Sequence, residues 1–266
     1  MLYFYRKYLI LLKKMMWRYL DIGLIDPYEA MAVHEAMFIS RLEDESPNTL
    51  YLEQYNTKSV FLGYHQCAQA ELNLDYCKQN NIKVVRRSTG GGAGYMDSKQ
   101  LNYEVTVDRK EYGIPSDFVG SYGRIMDGFI EALKYLELDA EFKPINDLLV
   151  NGGKISGGCM TRKDTIILQH GSLLVDFDLE TAFKVLNVPK IKYKSKGIKS
   201  AKSRVTCLNK ELGYAIKLEN LKTVIKKGFM KSFGISFNDS GLSSYEKELV
   251  NKLLPKYRSE EFIYRM

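Results

Sequence analysis

Residues 86–93 read Arg-Arg-Ser-Thr-Gly-Gly-Gly-Ala, and this stretch is the strongest local signal in the chain. Three consecutive glycines let backbone N–H groups approach a ligand closely and point inward at an anion. Arg86 and Arg87 add fixed positive charge with paired donors. No Gly-Lys-Ser/Thr follows and no helix pattern begins there, which excludes a Walker loop and a dinucleotide fingerprint. The stretch therefore predicts a phosphate- or carboxylate-binding loop rather than a plain hairpin tip.

The runs around this loop alternate irregularly between strand and helix patterns. Strands are predicted at 49–55, 59–64, 82–87 and 101–107, with three short strands between 140 and 175 broken at 151–153 and 157–158. Helices are predicted to begin after Asp26, Ser116, Asp178 and Ser243, which can act as N-caps, and a further helix is expected at 218–233. The absence of a βαβ period favours an α+β (mixed α/β) fold with a mixed β-sheet flanked by helices.

Composition limits the classes of protein that are possible. The chain has 266 residues, a net charge of +7 and 45% hydrophobic residues, which suits one large folded domain with or without a small appendage. A basic surface attracts phosphates or acidic proteins. There is no basic tail or RNA-binding signature, and residues 1–14 are too short to span a membrane, so neither nucleic acid nor membrane is expected as a partner. The four scattered cysteines predict reduced thiols in a cytoplasmic protein.

Two later segments become informative when they are considered together with residues 86–93. Lys154 follows an Asn-Gly-Gly turn and precedes a Ser-Gly-Gly stretch, and His170 stands before a glycine in a strand pattern. Each of them alone is more often a solvated lysine or a structural histidine. Cys159 could be a nucleophile, although a buried structural thiol is the simpler interpretation.

Taken together, these segments resemble the lipoate–protein ligase family. That family carries RRxxGGGAVxHD, ND…G+K(I/V)SG, HHG(T/S)LL and KGIxSVRSRVTNL in this order. This chain reads RRSTGGGAGYMD from residue 86, ND at 146, GKISG from 153, QHGSLL from 169 and KGIKSAKSRVT from 196. The resemblance implies a biotin/lipoate ligase-like catalytic domain over residues 16–266. Residues 1–15 are then an N-terminal extension or a mis-assigned start, and the family's accessory C-terminal domain is expected to be absent, as in two-subunit ligases.

The resemblance also implies roles for individual residues. Lys154 would be the catalytic residue, contacting the substrate carboxylate and the α-phosphate. Asn146 and Asp147 would help to place the nucleotide, with Asp147 as the Mg²⁺ ligand. Lys196, Gly197 and Arg204 would belong to a lysine-rich loop that covers the adenylate. The remaining implied substrate- and ATP-binding residues are Arg87, Gly91, Gly92, Ala93, Gly94, Tyr95, Gly157 and His170.

The reaction that this implies uses ATP and Mg²⁺ to activate lipoate as lipoyl-AMP, then transfers the lipoyl group to a lysine. The expected acceptors are lipoyl domains, namely the glycine-cleavage H protein and the E2 subunits of 2-oxoacid dehydrogenases. A separate accessory subunit would replace the missing domain. Two residues depart from the family pattern, because Gly94 replaces its valine and Met96 its histidine.

Three alternatives stay open at this point. The first is an octanoyl- or lipoyl-transferase of the same fold, which works through a cysteine thioester. In one branch that cysteine stands where this chain has Ile145-Asn146-Asp147, so the ligase is favoured, and Cys159 would have to serve instead. The second is a biotin ligase, and the third is a non-catalytic lipoate-binding subunit.

Overall fold

The structure is a computed structural model that describes residues 16–187 and 204–265. The expected N-terminal extension lies outside the described residues. The same holds for most of the predicted lysine-rich loop, including Lys196 and Gly197. Arg204 is described.

Eleven strands and nine helices are found in the described ranges. The strands are β1 (Met16–Ile25), β2 (Thr49–Tyr55), β3 (Ser59–Leu62), β4 (Lys83–Arg86), β5 (Gly94–Met96), β6 (Gln100–Asp108), β7 (Ala140–Lys143), β8 (Asp147–Val150), β9 (Gly153–Lys163), β10 (Ile166–Leu174) and β11 (Ser236–Asp239). The helices are α1 (Pro27–Leu42), α2 (Ala68–Glu71), α3 (Leu74–Gln79), α4 (Phe118–Lys134), α5 (Leu179–Val185), α6 (Leu208–Leu212), α7 (Leu218–Phe233), α8 (Ser244–Arg258) and α9 (Glu260–Tyr264).

Eight strands form one sheet in the order β11-β1-β2-β6-β10-β9-β8-β7, and three form a small sheet in the order β4-β3-β5. Strand β1 pairs in parallel with β11 and β2, whereas the pairs from β2 through β6, β10, β9 and β8 to β7 are antiparallel. The predicted mixed sheet with flanking helices is thus confirmed. Because helices cover both faces of this sheet, its central strands β2, β6 and β10 are buried along almost their whole length, including their polar residues.

Helices cover both faces of the large sheet. One hydrophobic cluster joins the sheet to α4 and α7 around Trp17, Phe129 and Phe229, all at most 1% exposed. A second cluster packs α1 and α8 on the opposite face, around Met31 and Tyr257. Both layers bury apolar surface that provides most of the stability of such a domain.

Several predicted helix starts are confirmed. The side chain of Asp26 accepts from the N–H groups of Tyr28 and Glu29, and Asp178 caps α5 in the same way. Ser243 begins α8 as predicted and forms a capping box with Glu246, and the helix extends to Arg258. The cap of α4 was wrong by one residue: Asp117, not Ser116, accepts the N–H of Gly120.

The region from 140 to 175 holds four strands rather than the three predicted. The Asn151-Gly152 turn is the expected hairpin, joining β8 to β9. Gly157 and Gly158 do not break the chain, because they lie inside β9. A Cβ at Gly158 would come within 2.9 Å of the His170 carbonyl and 3.1 Å of the Tyr103 hydroxyl, so glycine here allows a close approach of the neighbouring strand and ring.

In the two described ranges, no helix combines the length and the apolar character needed to cross a lipid bilayer.

Candidate active site

A cavity of about 320 Å³ brings the three sequence motifs together. Arg87 and Gly92 line it from the glycine turn, Lys154 from the start of β9, and His170 from β10. The other predicted binding residues in its lining are Ala93, Gly94, Tyr95, Asn146 and Gly157. Gly91 and Asp147 lie beside the cavity, next to Cys159 and Lys154 respectively.

Lys154 is held in place by Asp147. Its Nζ lies 2.6 Å from Oδ1 of Asp147, and the two side chains are 35% and 31% exposed. The hairpin register sets Asp147 opposite Gly157. A Cβ at Gly157 would come within 2.7 Å of the Lys154 Nζ, so glycine leaves the space in which the ammonium lies. The hairpin sequence thus explains how the Lys154 ammonium comes to lie beside Asp147.

The end of the predicted covering loop pairs with the backbone of Lys154. The N–H of Lys154 donates to the carbonyl of Arg204 at 2.7 Å, and the N–H of Thr206 donates to the carbonyl of Lys154 at 3.0 Å. Val205, between them, lines the cavity. The side chain of Arg204 is exposed, and its carbonyl is the group that contacts this strand. The C-terminal end of the basic segment is thus hydrogen-bonded to the backbone of Lys154.

The glycine turn depends on Arg87 for its shape. The guanidinium donates to the carbonyls of Phe61, Gly90 and Gly92 at 3.0–3.2 Å, and the side chain is buried. Gly91 has φ +100°, a conformation that L residues rarely adopt. The two contacts to glycine carbonyls hold the turn, while Nε of Arg87 has no hydrogen-bond partner among the described residues.

Arg86 does not serve the ligand-binding role that we predicted for it. It is 0% exposed, and its guanidinium donates to the carbonyls of Gly63, Gln66, Phe262, Ile263 and Arg265. These bonds fix α9 and the segment after β3 to strand β4. Neighbouring residues of an extended chain point to opposite faces, so Arg87 turns toward the cavity and Arg86 turns away from it.

A buried polar cluster that the sequence analysis missed lies against the cavity. Nδ1 of His34 is 2.9 Å from Nδ1 of His170, and Nε2 of His34 is 3.0 Å from Oε1 of Glu53. Oε2 of Glu104 lies 3.3 Å from Nδ1 of His34. The available signals were a histidine in the apolar stripe of α1 and a glutamate in the middle of each of two strands, β2 and β6.

Burial and neighbouring charges both shift the pKa values of the groups in this cluster. Burial lowers the pKa of His34, but Glu104 and Glu53 raise it above its usual range. Burial lowers the pKa of His170, and the neighbouring His34 and Arg87 lower it further. Burial raises the pKa of Glu104 to about 8. His170 is accordingly neutral, and it meets the glycine turn through the hydroxyl of Thr89, 2.7 Å from Nε2.

Cys159 lines the same cavity, opposite His170 in the β9–β10 register. A nucleophilic thiol needs a base within hydrogen-bond reach. Both ring nitrogens of His170 are already engaged, by Thr89 and by His34. The arrangement therefore leaves Cys159 without the imidazole as its base.

The rest of the lining is mostly apolar and suits an acyl chain. Its members include Met31, Phe61, Tyr95, Met96, Leu174 and Phe177. The two departures from the family pattern are neighbours here, because a Cβ at Gly94 would lie 3.2 Å from Cε of Met96. Met96 thus occupies space that a larger residue at position 94 would need.

Comparisons with known proteins agree with this fold. A family model described as the lipoyl protein ligase A/B catalytic domain matches residues 26–230. An octanoyltransferase LipM from Geobacillus kaustophilus is 30% identical over 276 residues, covering 95% of this chain and 99% of the relative. An octanoyltransferase LipM from Bacillus subtilis is 27% identical, covering 96% and 100%.

Among solved structures, a bi-partite lipoate protein ligase from Thermoplasma acidophilum, studied with its E2 lipoyl domain, has a TM-score of 0.83 and 27% identity, covering 95% of this chain and 98% of that one. A lipoate-protein ligase A bound with ATP has a TM-score of 0.81 and 26% identity, covering 94% and 99%. The expected lipoate ligase fold is confirmed by these matches. The chain belongs to the lipoyl protein ligase A/B catalytic domain family, and it is an enzyme of the lipoate ligase and octanoyltransferase class.

Proposed function

We propose that this protein is an adenylate-forming lipoate ligase, which activates lipoate with ATP and transfers the lipoyl group to a lysine of a lipoyl domain. One observation carries the proposal: the Lys154 ammonium, oriented by Asp147 at 2.6 Å, lines the same cavity as the triglycine turn. An ammonium group beside a glycine turn suits a phosphate and a carboxylate. The apolar lining suits the acyl chain attached to that carboxylate.

In the first step, the lipoate carboxylate attacks the α-phosphorus of ATP, the bond to the β-phosphate oxygen breaks, and pyrophosphate leaves. Lys154 stabilises the negative charge that develops on the α-phosphoryl oxygens. Asp147 limits the rotamers of Lys154, and the Asn146 amide, which donates to the carbonyl of Gly158 at 2.7 Å, stiffens the strand opposite. Alignment of the two reactants supplies much of the remaining acceleration.

The residues present fit a magnesium ion that arrives with the nucleotide. Mg²⁺ is usually held by one or two carboxylates together with substrate phosphates, and the partly exposed Asp147 carboxylate supplies one such ligand. The ion would neutralise phosphate charge. Asp147 would then be shared between the ion and Lys154, and Asn146 would lie beside both.

In the second step, the acceptor lysine amine attacks the carbonyl of lipoyl-AMP and AMP leaves, so no covalent enzyme intermediate is needed. The net charge of +7 favours an acidic acceptor surface. Acceptors such as the glycine-cleavage H protein and E2 lipoyl domains remain predictions, as do a separate accessory subunit, Arg87 and His170 as ligand contacts, and a cytoplasmic location.

A second candidate is octanoyl transfer through a thioester, which the names of the sequence relatives favour. Cys159 in the cavity lining is its candidate nucleophile. Two observations weigh against it: both nitrogens of His170 are engaged elsewhere, and residues 145–147 contain no cysteine. The ligase therefore remains the first proposal.

The two candidates separate in one assay series with a lipoyl-domain acceptor. One arm supplies ATP, Mg²⁺ and lipoate, with and without the accessory subunit, and the other supplies an octanoyl thioester without ATP. The proposal expects modification in the first arm that Cys159→Ala retains and Lys154→Ala loses, with Lys163→Ala as a control at the exposed far end of β9. ATP-independent modification that Cys159→Ala abolishes would establish the transferase instead.

A further inference from the structure

The buried cluster beside the cavity has the composition of a metal site. His34 on α1, Glu104 on β6 and His170 on β10 each offer one ligand atom, and these three atoms lie within 4.8 Å of one another. Glu104 and His170 are direct partners in the β6–β10 register, and helix α1 brings His34 over them. All three side chains are at most 5% exposed.

We propose that His34, Glu104 and His170 bind a divalent transition-metal ion of the Zn²⁺ type through Nδ1, Oε2 and Nδ1. Two imidazoles and one carboxylate form a ligand set that Zn²⁺ uses, with a fourth position left for water or substrate. This site is separate from Asp147 and Lys154. It goes beyond the proposed ligase activity and does not depend on it.

One carboxylate oxygen in the cluster lacks a hydrogen-bond partner within the described part of the chain. Oε2 of Glu104 is buried and has no hydrogen-bond donor among the described residues. One proton shared between the two Nδ1 atoms would satisfy both imidazoles and still leave this oxygen without a partner. A buried acceptor without a donor is unfavourable, because it has lost its hydrogen bonds to water and gained none in their place. A cation between the three atoms satisfies all of them at once.

The second polar atom of each of the three side chains is already held by a hydrogen bond. Nε2 of His34 meets Glu53 at 3.0 Å, Nε2 of His170 meets the Thr89 hydroxyl at 2.7 Å, and Oε1 of Glu104 accepts from Thr106 at 2.7 Å. Metal-binding histidines usually donate their second nitrogen to such a partner, which selects the tautomer that leaves the other nitrogen free. Here this pattern is complete for all three side chains.

The distances between the three ligand atoms, and the opening to the cavity, also suit a metal ion. Ligands about 2.0–2.1 Å from a tetrahedral ion lie about 3.3 Å from one another. Oε2 of Glu104 and Nδ1 of His34 are already 3.3 Å apart, and the two Nδ1 atoms, at 2.9 Å, need to separate by a few tenths of an ångström. Both imidazoles line the cavity, which gives an ion a route to the site. A bound ion would tie α1 to the sheet and, through Thr89, to the glycine turn.

The test is metal binding by the full chain after treatment with a chelator. Titration calorimetry with ZnCl₂ and visible absorption with CoCl₂ should report one ion per chain, with a four- or five-coordinate Co²⁺ spectrum that lacks a thiolate band. His34→Gln and Glu104→Gln should each weaken binding by at least about 100-fold. His65→Gln, at an exposed histidine, and Cys159→Ser should bind like the wild type.

Far-UV circular dichroism checks that each variant is folded. If a variant does not fold, zinc-edge X-ray absorption of the wild type decides, and it should show nitrogen and oxygen ligands, with imidazole scattering and no sulfur. Failure of the wild type to bind an ion stoichiometrically would overturn the proposal. So would binding that persists in both ligand variants, or binding that is lost on substitution of His65 or Cys159.

Discussion

Nζ of Lys154 lies 2.6 Å from Oδ1 of Asp147, across a hairpin whose facing residue is Gly157. The pair is about one-third exposed, so its contribution to stability is small, about 0–1 kcal/mol. Its position beside the glycine turn indicates that it orients a cation for binding or catalysis.

Removing this cation should therefore affect activity far more than stability. Lys154→Ala should slow formation of lipoyl-AMP by about 10²–10³-fold, as loss of one preorganised charge donor does in other enzymes. Asp147→Asn should give an intermediate loss, because Lys154 stays but loses its partner. Pyrophosphate release in the presence of ATP and lipoate measures adenylate formation, and thermal unfolding measures stability. Equal losses in Lys163→Ala, or unfolding of Lys154→Ala, would contradict it.

The glycine turn should tolerate a side chain at one glycine and not at the next. Gly91→Ala places a Cβ at φ +100° and 2.8 Å from Sγ of Cys159, which should cost about 1–3 kcal/mol of unfolding free energy. Gly90→Ala meets nothing within 4 Å and serves as the matched control. Chemical denaturation of both variants measures the difference. Similar stabilities would show that the turn does not need the left-handed conformation.

Gly94 and Met96 should behave as a coupled pair in the cavity wall. Gly94→Val has to displace Met96, whose Cε lies 3.2 Å from the added Cβ, and the displaced side chain should narrow the cavity. We expect a several-fold higher KM for lipoate, with a smaller effect for the slimmer octanoate. Met96→Ala in the same chain should restore much of the loss. Additive effects of the two substitutions would refute the coupling, as a double-mutant cycle would reveal.

The N-cap of α1 should make stability depend on pH. Burial raises the pKa of Asp26, but bonds from Lys83 and from the N–H groups of Glu29 and Tyr28 lower it to below its usual value. A carboxyl whose folded pKa is lowered adds stability above its unfolded pKa, about 3.9, and that contribution disappears as pH falls through the folded pKa.

Asp26→Asn keeps a capping side chain and removes the charge, so it isolates this effect. The variant should be less stable than the wild type at pH 7, and the difference in stability should shrink as pH falls through the lowered pKa of Asp26. Urea denaturation at a series of pH values measures it. A gap that stays constant with pH would mean that the charge of Asp26 contributes nothing.

Much of the fold follows from local rules in the sequence. The caps at Asp26, Asp178 and Ser243 are set by side chains that bond their own helix, and the hairpin at Asn151 is set by turn chemistry. The glycine at position 158 was harder to predict, because a Cβ there would meet the His170 carbonyl and the Tyr103 hydroxyl, which come from other strands. Local patterns do not carry such information.

The candidate site, like the fold, could be predicted from the sequence only in part. Glycine spacing and motif order were enough to anticipate that Arg87, Gly92 and Lys154 share a cavity. The role of Arg86 and the cluster of His34, Glu53 and Glu104 depend on contacts between residues that are far apart in sequence. A polar residue in an apolar stripe was the available warning, and it indicated that a partner exists without identifying it.

The proposed function rests on an adenylate route that needs no enzyme thiol. The most direct measurement is transfer from preformed lipoyl-AMP to a lipoyl-domain acceptor, followed by intact-mass spectrometry of acceptor and enzyme, with wild type, Cys159→Ser and the control Cys67→Ser. The account predicts equal acceptor modification by all three proteins and no acyl adduct on the enzyme. An acyl adduct on Cys159, with transfer lost in Cys159→Ser and kept in Cys67→Ser, would contradict it.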